Sequence, residues 1–454
     1  MLKSRLSSVV KMRVVVLPGV FFVTMVLSLQ TVLADNPSVK TWLSKDITLA
    51  ATPPDELATA DELAVLRQRV AGVSESDKAN ASKWVNTPPN HHWLQTLLTS
   101  HIDIGPPSPQ KGRAIALLNL AIYDAVAVAT SAQVQVNRPG PDIDSAFVGV
   151  DADGFPSIHA AAATSASQVL SYLLPENAAL FERMAVDAHR ARLDAGLNFP
   201  SDIEAGAIIG QQVAAQVIEF AKNDNSDLPF EGERPEGPGY LKGDKFVYPT
   251  AGETKTVSVK SVEPHLPGPP PAYDSPELAA EIEQLKAMDR PLPGKMMAWI
   301  QHSTTTAYRW WYDQIAMAIF ERGMQHDALA TAHIYASVSA INHDALIACF
   351  KSKYEHWQIR PGQLDASVPM TFPSPPHPSY PSAHSCSSTS YGIVSSHFFP
   401  EKKDVFMSAA EAGGLSRLYA GIHYPSDDAA GDSIGESVAE EGLAFSASLL
   451  TGNN

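Results

Sequence analysis

The sequence predicts an all-α chain made of two packed helical bundles with a long Pro/Gly-rich connection between them. Apolar residues recur at helical spacing through most of the chain, and little of it reads as strand. At 223–274 that periodicity is lost and Pro and Gly dominate. In the second half, Ala340-Ile341-Asn342-His343-Asp344-Ala345 echoes Leu120-Ala121-Ile122-Tyr123-Asp124-Ala125 in the first, the mark of a duplicated unit. The expected organisation is a leader at 1–34, an N-terminal bundle at 35–222, the connection at 223–274 and a C-terminal bundle at 275–454.

The leader comes first. Lys3, Arg5, Lys11 and Arg13 precede a nearly uncharged run, 14–33, and Val32-Leu33-Ala34 offers a cleavage site before Asp35. The run is about 20 residues, long enough to cross a bilayer, so an uncleaved anchor is the alternative. The small-residue ending and the polar Asp35-Asn36-Pro37 favour cleavage. No second apolar span of that length is read. The mature protein is therefore expected to be soluble, not membrane-spanning, and exported to the periplasm or the medium.

Helices are expected at 54–73, where Leu57, Ala60, Leu63, Leu66 and Val70 share a face, and at 111–129, 158–174 and 177–193. Another is expected at 201–222, with Ser201 as N-cap and Asp202 and Glu204 complementing the helix dipole. In the connection, Lys245–Tyr248 and Thr256–Val259 are the best strand candidates. Ser275-Pro276-Glu277 restarts helix with an N-cap, an N1 proline and an acidic first turn. Helices then follow at 296–302, 307–322, 328–353 and 384–397. The third of these is about 39 Å long at the α-helical rise.

Hydrophobic residues make up 44% of the 454, enough for a sizeable core. A formal net charge of −16 argues against a nucleic-acid partner. It also makes the cations between 353 and 417 conspicuous. Two cysteines exclude a disulfide scaffold. Cys349 stands one helical turn before Lys353 and Cys386 two residues after His384. A bridge between them and two buried free thiols are both open.

The chemistry concentrates in 353–427. Lys353 is followed by Arg360-Pro361, then by Pro381-Ser382-Ala383-His384, then by Ser416-Arg417, His423 and Asp427. Guanidinium forks and a lysine point charge satisfy the oxygens of a tetrahedral or trigonal-bipyramidal anion. Ser382 and Ala383 follow a proline and open a helix, so their N–H groups are expected to be free for the same anion. Pro361 biases Arg360 out of the preceding helix, and Pro373, Pro375, Pro376 and Pro378 hold an extended loop leading to Ser382.

This order of motifs resembles the shared active-site pattern of the vanadium-dependent haloperoxidases and the type-2 phosphatidic-acid phosphatases (acid phosphatases). The resemblance implies two packed bundles with a duplicated four-helix-bundle core. It implies that His423 bonds vanadium or attacks phosphorus. Lys353, Arg360, Ser382, the Ala383 amide and Arg417 would hold the oxyanion, and His384 would be the general acid–base. Asp427, one turn beyond His423, suits the orienting role that carboxylates take beside a ligating imidazole. The implied cofactor is vanadate, a phosphate-like oxyanion. The implied partners are hydrogen peroxide, halide and a small organic acceptor, or else a phosphate monoester; a homodimer is left open.

Pro375-Pro376-His377 matches the loop of the haloperoxidases, in which a histidine on the halide side resembles the bromoperoxidase type. The large N-terminal bundle also exceeds what a minimal phosphatase needs. Ala383, by contrast, stands where many haloperoxidases have glycine. The expected activity is halide oxidation, with bromide or iodide favoured; phosphomonoester hydrolysis through a phosphohistidine is the alternative. His91, His92 and His101 read as surface or capping residues and His343 as a core histidine, with Trp310, Trp311 and Trp357 as packing. No His-x-x-x-His pair backed by Glu supports a zinc hydrolase.

Overall fold

A computed structural model describes residues 39–49, 51–101, 108–143, 147, 150, 152–302 and 304–451. The leader and its cleavage site lie outside the described residues. Among the described residues there are fifteen α-helices and no strand. The N-terminal half contains α1 (Glu56–Ala71), α2 (Glu75–Val85), α3 (His91–Thr96), α4 (Pro109–Val136), α5 (Ile158–Leu173), α6 (Ala178–Asp194) and α7 (Pro200–Lys222). The C-terminal half contains α8 (Pro276–Ala287), α9 (Leu292–His302), α10 (Thr304–Glu321), α11 (Ala328–His356), α12 (Pro361–Leu364), α13 (Ala383–Phe398), α14 (Lys403–Ala420) and α15 (Pro425–Thr451).

Two four-helix units repeat the same packing. In the first, α5 lies against α4, α6 and α7; in the second, α13 lies against α11, α14 and α15. The long helices α4 and α11 pack on each other and join the units. Gly206 and Gly210 let α7 approach the backbone of α5 at Ser157 and Ala161, and Gly431 and Gly435 let α15 approach α13 at Ser382 and Cys386. The main core runs through both units. Leu118, Ile122, Ile315, Ile341 and Val438 are wholly buried in it, each contributing about 1.5–3 kcal/mol of apolar burial.

The echo between 120–125 and 340–345 has a physical basis. Asp124 is wholly buried on α4 and accepts the backbone amides of Trp42 (2.7 Å), Leu43 (3.0 Å) and Ser44 (2.8 Å). Asp344, equally buried on α11, accepts those of Val257 (3.0 Å), Ser258 (2.6 Å) and Val259 (3.1 Å). Each carboxylate pins an irregular segment to its central helix.

That arrangement corrects the strand reading of 245–248 and 256–259. The 257–259 segment carries two β-branched valines, but its backbone bends and its amides meet a side chain instead of a neighbouring strand. The connection also enters the core: Val259 and Val262 are 6% and 5% exposed within the main cluster. Helix α7 begins at Pro200, so Ser201 is not its N-cap. Phe199 takes that position, and the Asp202 carboxylate receives its amide at 2.7 Å. Ser201 instead donates to Glu62 (2.8 Å). The reading of a single apolar span is corrected as well. Helix α4 is long and apolar enough to cross a membrane, but 78% of its apolar window is buried inside the protein.

Candidate active site

Helix α11 carries Lys353 in its last turn and ends on Trp357, whose left-handed backbone (φ 51°) turns the chain. Arg360 caps the short helix α12, Ser382 caps α13, Arg417 closes α14, and His423 precedes the N1 proline of α15. The duplicated packing brings these element ends to one place. Lys353, Arg360 and Ser382 are wholly buried, as is Asp427, and Arg417 and His423 are 1% and 3% exposed.

His423 is fixed by both ring nitrogens. Nδ1 lies 2.7 Å from Oδ2 of Asp427, and Nε2 lies 2.9 Å from Nη1 of Arg360. A carboxylate only accepts and a guanidinium only donates, so the proton sits on Nδ1 and Nε2 carries the lone pair. Burial, then Arg360 and Lys353, hold the imidazole neutral by pushing its pKa well below the ordinary value. Oδ2 of Asp427 also receives Ser379 Oγ (2.6 Å) and the Tyr424 amide (3.0 Å), and Oδ1 is buried without a partner. Burial raises the Asp427 pKa to about 6.

The cations are differently committed. Lys353 Nζ donates to the carbonyls of Pro378 and Ser379, both at 2.9 Å, and to that of Pro381. An ammonium has three donors, so the direct bond to an anion expected from Lys353 is not available in this arrangement. Its charge acts through space, and it holds the loop that leads to Ser382. Arg360 donates Nε to the His377 carbonyl (3.0 Å), Nη1 to the Ile422 carbonyl (2.8 Å) and Nη2 to His377 Nδ1 (3.0 Å). Arg417 donates Nε to Ser416 Oγ (2.9 Å) and Nη2 to the Ala298 carbonyl (2.8 Å), leaving Nη1 without an acceptor among the described residues. Burial lowers all three pKa values, to about 8 for Lys353, 10 for Arg360 and 9 for Arg417.

The start of α13 differs from expectation in one amide. Ser382 N–H donates to the Asp427 carbonyl (2.8 Å), so it is not free. Among the described residues the Ala383 amide has no acceptor, and the Ser382 hydroxyl caps the Ser385 amide at 3.3 Å with its own proton uncommitted. Nε2 of His384 lies 2.8 Å from the Gln301 carbonyl, which places its proton there and leaves Nδ1 unprotonated. Burial, then Arg417, push the His384 pKa well below the ordinary value.

The structure therefore brings Lys353, Arg360, His377, Ser382, Ala383, His384, Arg417, His423 and Asp427 together. Sequence reasoning missed Ser379, the Gln301 carbonyl and Phe372, whose ring centroid lies 5.5 Å from the Arg417 guanidinium. Ser379 alone had a signal, its place in the proline-held loop. An open cleft of about 600 Å³, lined by Met288, Leu292, Met296, Trp299 and Met370, adjoins this side; Trp299 packs on Phe372 at 5.2 Å. Cys349 and Cys386 are free and buried, and the Cys349 thiol lies 4.0 Å from the Pro381 carbonyl. His343 is a buried core histidine, its pKa lowered to about 4 by burial. Trp311 stacks on Tyr391 and Trp357 packs on Tyr354. The His101 side chain lies outside the described residues.

The donor set fits a phosphate-like oxyanion. Three buried cations face the one carboxylate of Asp427. The Ala383 amide, the Ser382 hydroxyl and Arg417 Nη1 offer uncommitted donors beside an imidazole lone pair that accepts from Arg360 Nη1. Among the described residues no group of three His, Cys, Asp or Glu side chains forms a metal cage.

Residues 331–444 match the PAP2 superfamily, a span that includes every residue of this pocket from Lys353 to Asp427. A search of curated protein sequences finds no match. Among solved structures, the fold is similar to a bacterial vanadium-dependent iodoperoxidase, with a TM-score of 0.59 and 19% identity over 88% of this chain and 98% of that one. It is also similar to a bacterial vanadium-dependent chloroperoxidase. The holo form gives a TM-score of 0.56 and 13% identity over 85% of this chain and 98% of that one. The apo form gives 0.56 and 14% over 75% and 93%. At these identities the likeness is one of fold, and it agrees with the all-α architecture expected from sequence.

Proposed function

We propose that this protein is a vanadium-dependent haloperoxidase that oxidises halide, bromide or iodide in preference, with hydrogen peroxide at vanadate bonded to His423. The observation that carries the reading is the buried excess of positive charge around a neutral, oriented imidazole lone pair. An isolated buried cation is costly, and three against one carboxylate call for an anion. Arg417, Ser382 and the Ala383 amide would hold the oxygens of vanadate, with Arg360 and Lys353 supplying charge. When bound, vanadate would supply Lewis-acid activation of peroxide toward halide. His384 Nδ1 is the base for the peroxide proton, and the neutral state of this histidine suits that task. His377, held on Arg360, faces the halide side. Hydrogen peroxide, halide and a proton give hypohalous acid and water. The open cleft past Phe372 is where a small organic acceptor would approach.

The PAP2 match supports a second reading, an acid phosphatase. There His423 Nε2 would attack phosphorus, and the same cations would stabilise the phosphoryl transition state. A paired assay on purified protein separates the two. One arm contains orthovanadate, hydrogen peroxide, bromide or iodide and a halogen-trapping dye; the other contains a phosphate monoester without vanadate. Vanadate-dependent halide oxidation that is lost in His423→Ala is the expected result. Phosphate release inhibited by vanadate, with no halide oxidation, would overturn it. We also propose that the enzyme is exported, on the strength of the leader at 1–34; a secreted form starting at Asp35 is the expected result of N-terminal sequencing.

A further inference from the structure

The two helical units share more than their packing, because the motifs of the C-terminal pocket recur in the N-terminal unit. Arg138-Pro139-Gly140 corresponds to Arg360-Pro361-Gly362, and Phe155-Pro156-Ser157-Ile158-His159 to Tyr380-Pro381-Ser382-Ala383-His384. Leu193-Asp194-Ala195-Gly196-Leu197-Asn198-Phe199-Pro200-Ser201-Asp202 corresponds to Leu418-Tyr419-Ala420-Gly421-Ile422-His423-Tyr424-Pro425-Ser426-Asp427. Arg192 thus stands where the second unit has Arg417, and Asn198 where it has His423.

The hydrogen bonds follow the same correspondence. Ser157 N–H donates to the Asp202 carbonyl at 2.9 Å, as Ser382 N–H does to the Asp427 carbonyl at 2.8 Å. Asp202 receives the Phe199 amide (2.7 Å), as Asp427 receives that of Tyr424 (3.0 Å). Gln133, four residues before the left-handed Asn137, donates to the Pro156 carbonyl (2.8 Å). Lys353, four residues before the left-handed Trp357, donates to that of Pro381. The N-terminal unit therefore has the frame of the pocket, with the lysine and the ligating histidine replaced.

The two units differ in what meets the anion donors. The Asp153 carboxylate receives the Ile158 amide (2.8 Å), Ser157 Oγ (3.1 Å) and Gln133 Nε2 (2.5 Å), with His159 Nδ1 at 3.5 Å. Ile158 N–H is the counterpart of the Ala383 amide, which has no acceptor among the described residues, and Ser157 is the counterpart of Ser382. The residue corresponding to Asp153 in the second unit is Pro378, which brings no carboxylate. Arg192 is 2% exposed and bonds Asn198 through Nε (2.8 Å), while Nη1 and Nη2 are buried without partners. Arg138 is committed to Glu62 and to the Asp202 carboxylate, the counterpart of Asp427.

We propose that the N-terminal unit carries a second oxyanion site, built on the same frame and filled by the chain's own Asp153 carboxylate, and that removing this carboxylate opens it to a tetrahedral oxyanion such as phosphate. Asp153→Ala removes the carboxylate that now occupies these donors. The Ile158 amide, Ser157 and the two idle nitrogens of Arg192 remain to bind phosphate. With Asn198 in place of a histidine, the opened site binds but forms no covalent bond.

Equilibrium dialysis with radiolabelled inorganic phosphate tests this on the whole chain. Asp153→Ala should bind one equivalent more per chain than wild type, and Asp153→Ala/Arg192→Gln should lose that equivalent. The result is a difference from wild type, so it stands whether or not the C-terminal pocket binds phosphate. Phosphate should also raise the melting temperature of Asp153→Ala more than that of wild type at matched ionic strength. Asp153→Ser, which keeps an oxygen near the Ile158 amide, is measured alongside in case the alanine variant does not fold. Folded variants that bind no more phosphate than wild type would overturn the proposal, as would variants that phosphate fails to rescue.

Discussion

Replacing Asp427 separates orientation from charge in the C-terminal pocket. Oδ2 alone receives His423 Nδ1 (2.7 Å), Ser379 Oγ (2.6 Å) and the Tyr424 amide (3.0 Å), while Oδ1 has no partner. Asp427→Asn can place its amide oxygen where Oδ2 stands. The Tyr424 N–H can only donate, so it holds the oxygen there and keeps the His423 proton on Nδ1. Asp427→Ala removes the acceptor for all three donors and frees the imidazole ring. Bonds to a charged acceptor are each worth about 1.5–3 kcal/mol, and loss of the group orienting a ligating histidine costs about 10–100-fold in affinity or activity. Asp427→Ala is therefore expected to lower vanadate-dependent halide turnover by about 10–100-fold, with a smaller loss of vanadate affinity. Asp427→Asn should lose less than about tenfold of turnover. Steady-state halide oxidation and vanadate titration on the three proteins provide the comparison. Equal losses in Asn and Ala would show that charge is what Asp427 supplies, refuting the orientation argument. Unchanged turnover in both would remove Asp427 from the mechanism.

Vanadate affinity should fall with rising pH. Burial pushes the Lys353 pKa down to about 8, so the cation is complete below that pH and is lost as pH rises through it. Titrations from about pH 6 to about pH 10 should show the dissociation constant rising by up to tenfold per unit above the break. Lys353→Met should bind more weakly near neutrality and flatten that profile. Gly431→Ala would put a Cβ 2.6 Å from the Ser382 carbonyl, at an overpacking cost of about 1–3 kcal/mol. Gly206→Ala makes the corresponding clash with Ser157. Both should lower the melting temperature, but only Gly431→Ala should also cut turnover. Asp344→Ala leaves three amides and the Ser258 hydroxyl without an acceptor, a loss of at least about 3 kcal/mol by urea unfolding. Asp344→Asn should cost less than Asp124→Asn, because Oδ2 of Asp344 takes nearly all its bonds while those of Asp124 are split between both oxygens.

What was legible in the sequence was local. Helical spacing, N1 prolines and Ser caps are written within a few residues of one another, so α5, α8 and α13 could be placed closely. The pocket motifs are legible for the same reason, since each lies at the end of one helix. What could not be read depends on where distant backbone arrives. Val257–Val259 alternates like a strand, and only the fold shows its amides meeting Asp344. Lys353 reads as an anion ligand until three carbonyls of the 378–381 loop are found on its ammonium. The N-terminal copy of the pocket was present in the sequence all along. Its Arg-Pro-Gly keeps the order, and its Pro-Ser and the six-residue step from Arg192 to Asn198 keep the spacing, but Gln133 and Asn198 lack the residue types that announce chemistry. Burial rules make the difference between the units intelligible. A cation and helix-start amides withdrawn from water need an anion. On these proposals, the N-terminal unit draws it from the chain, through Asp153, and the C-terminal unit, with Pro378 at that position, would take it from solution.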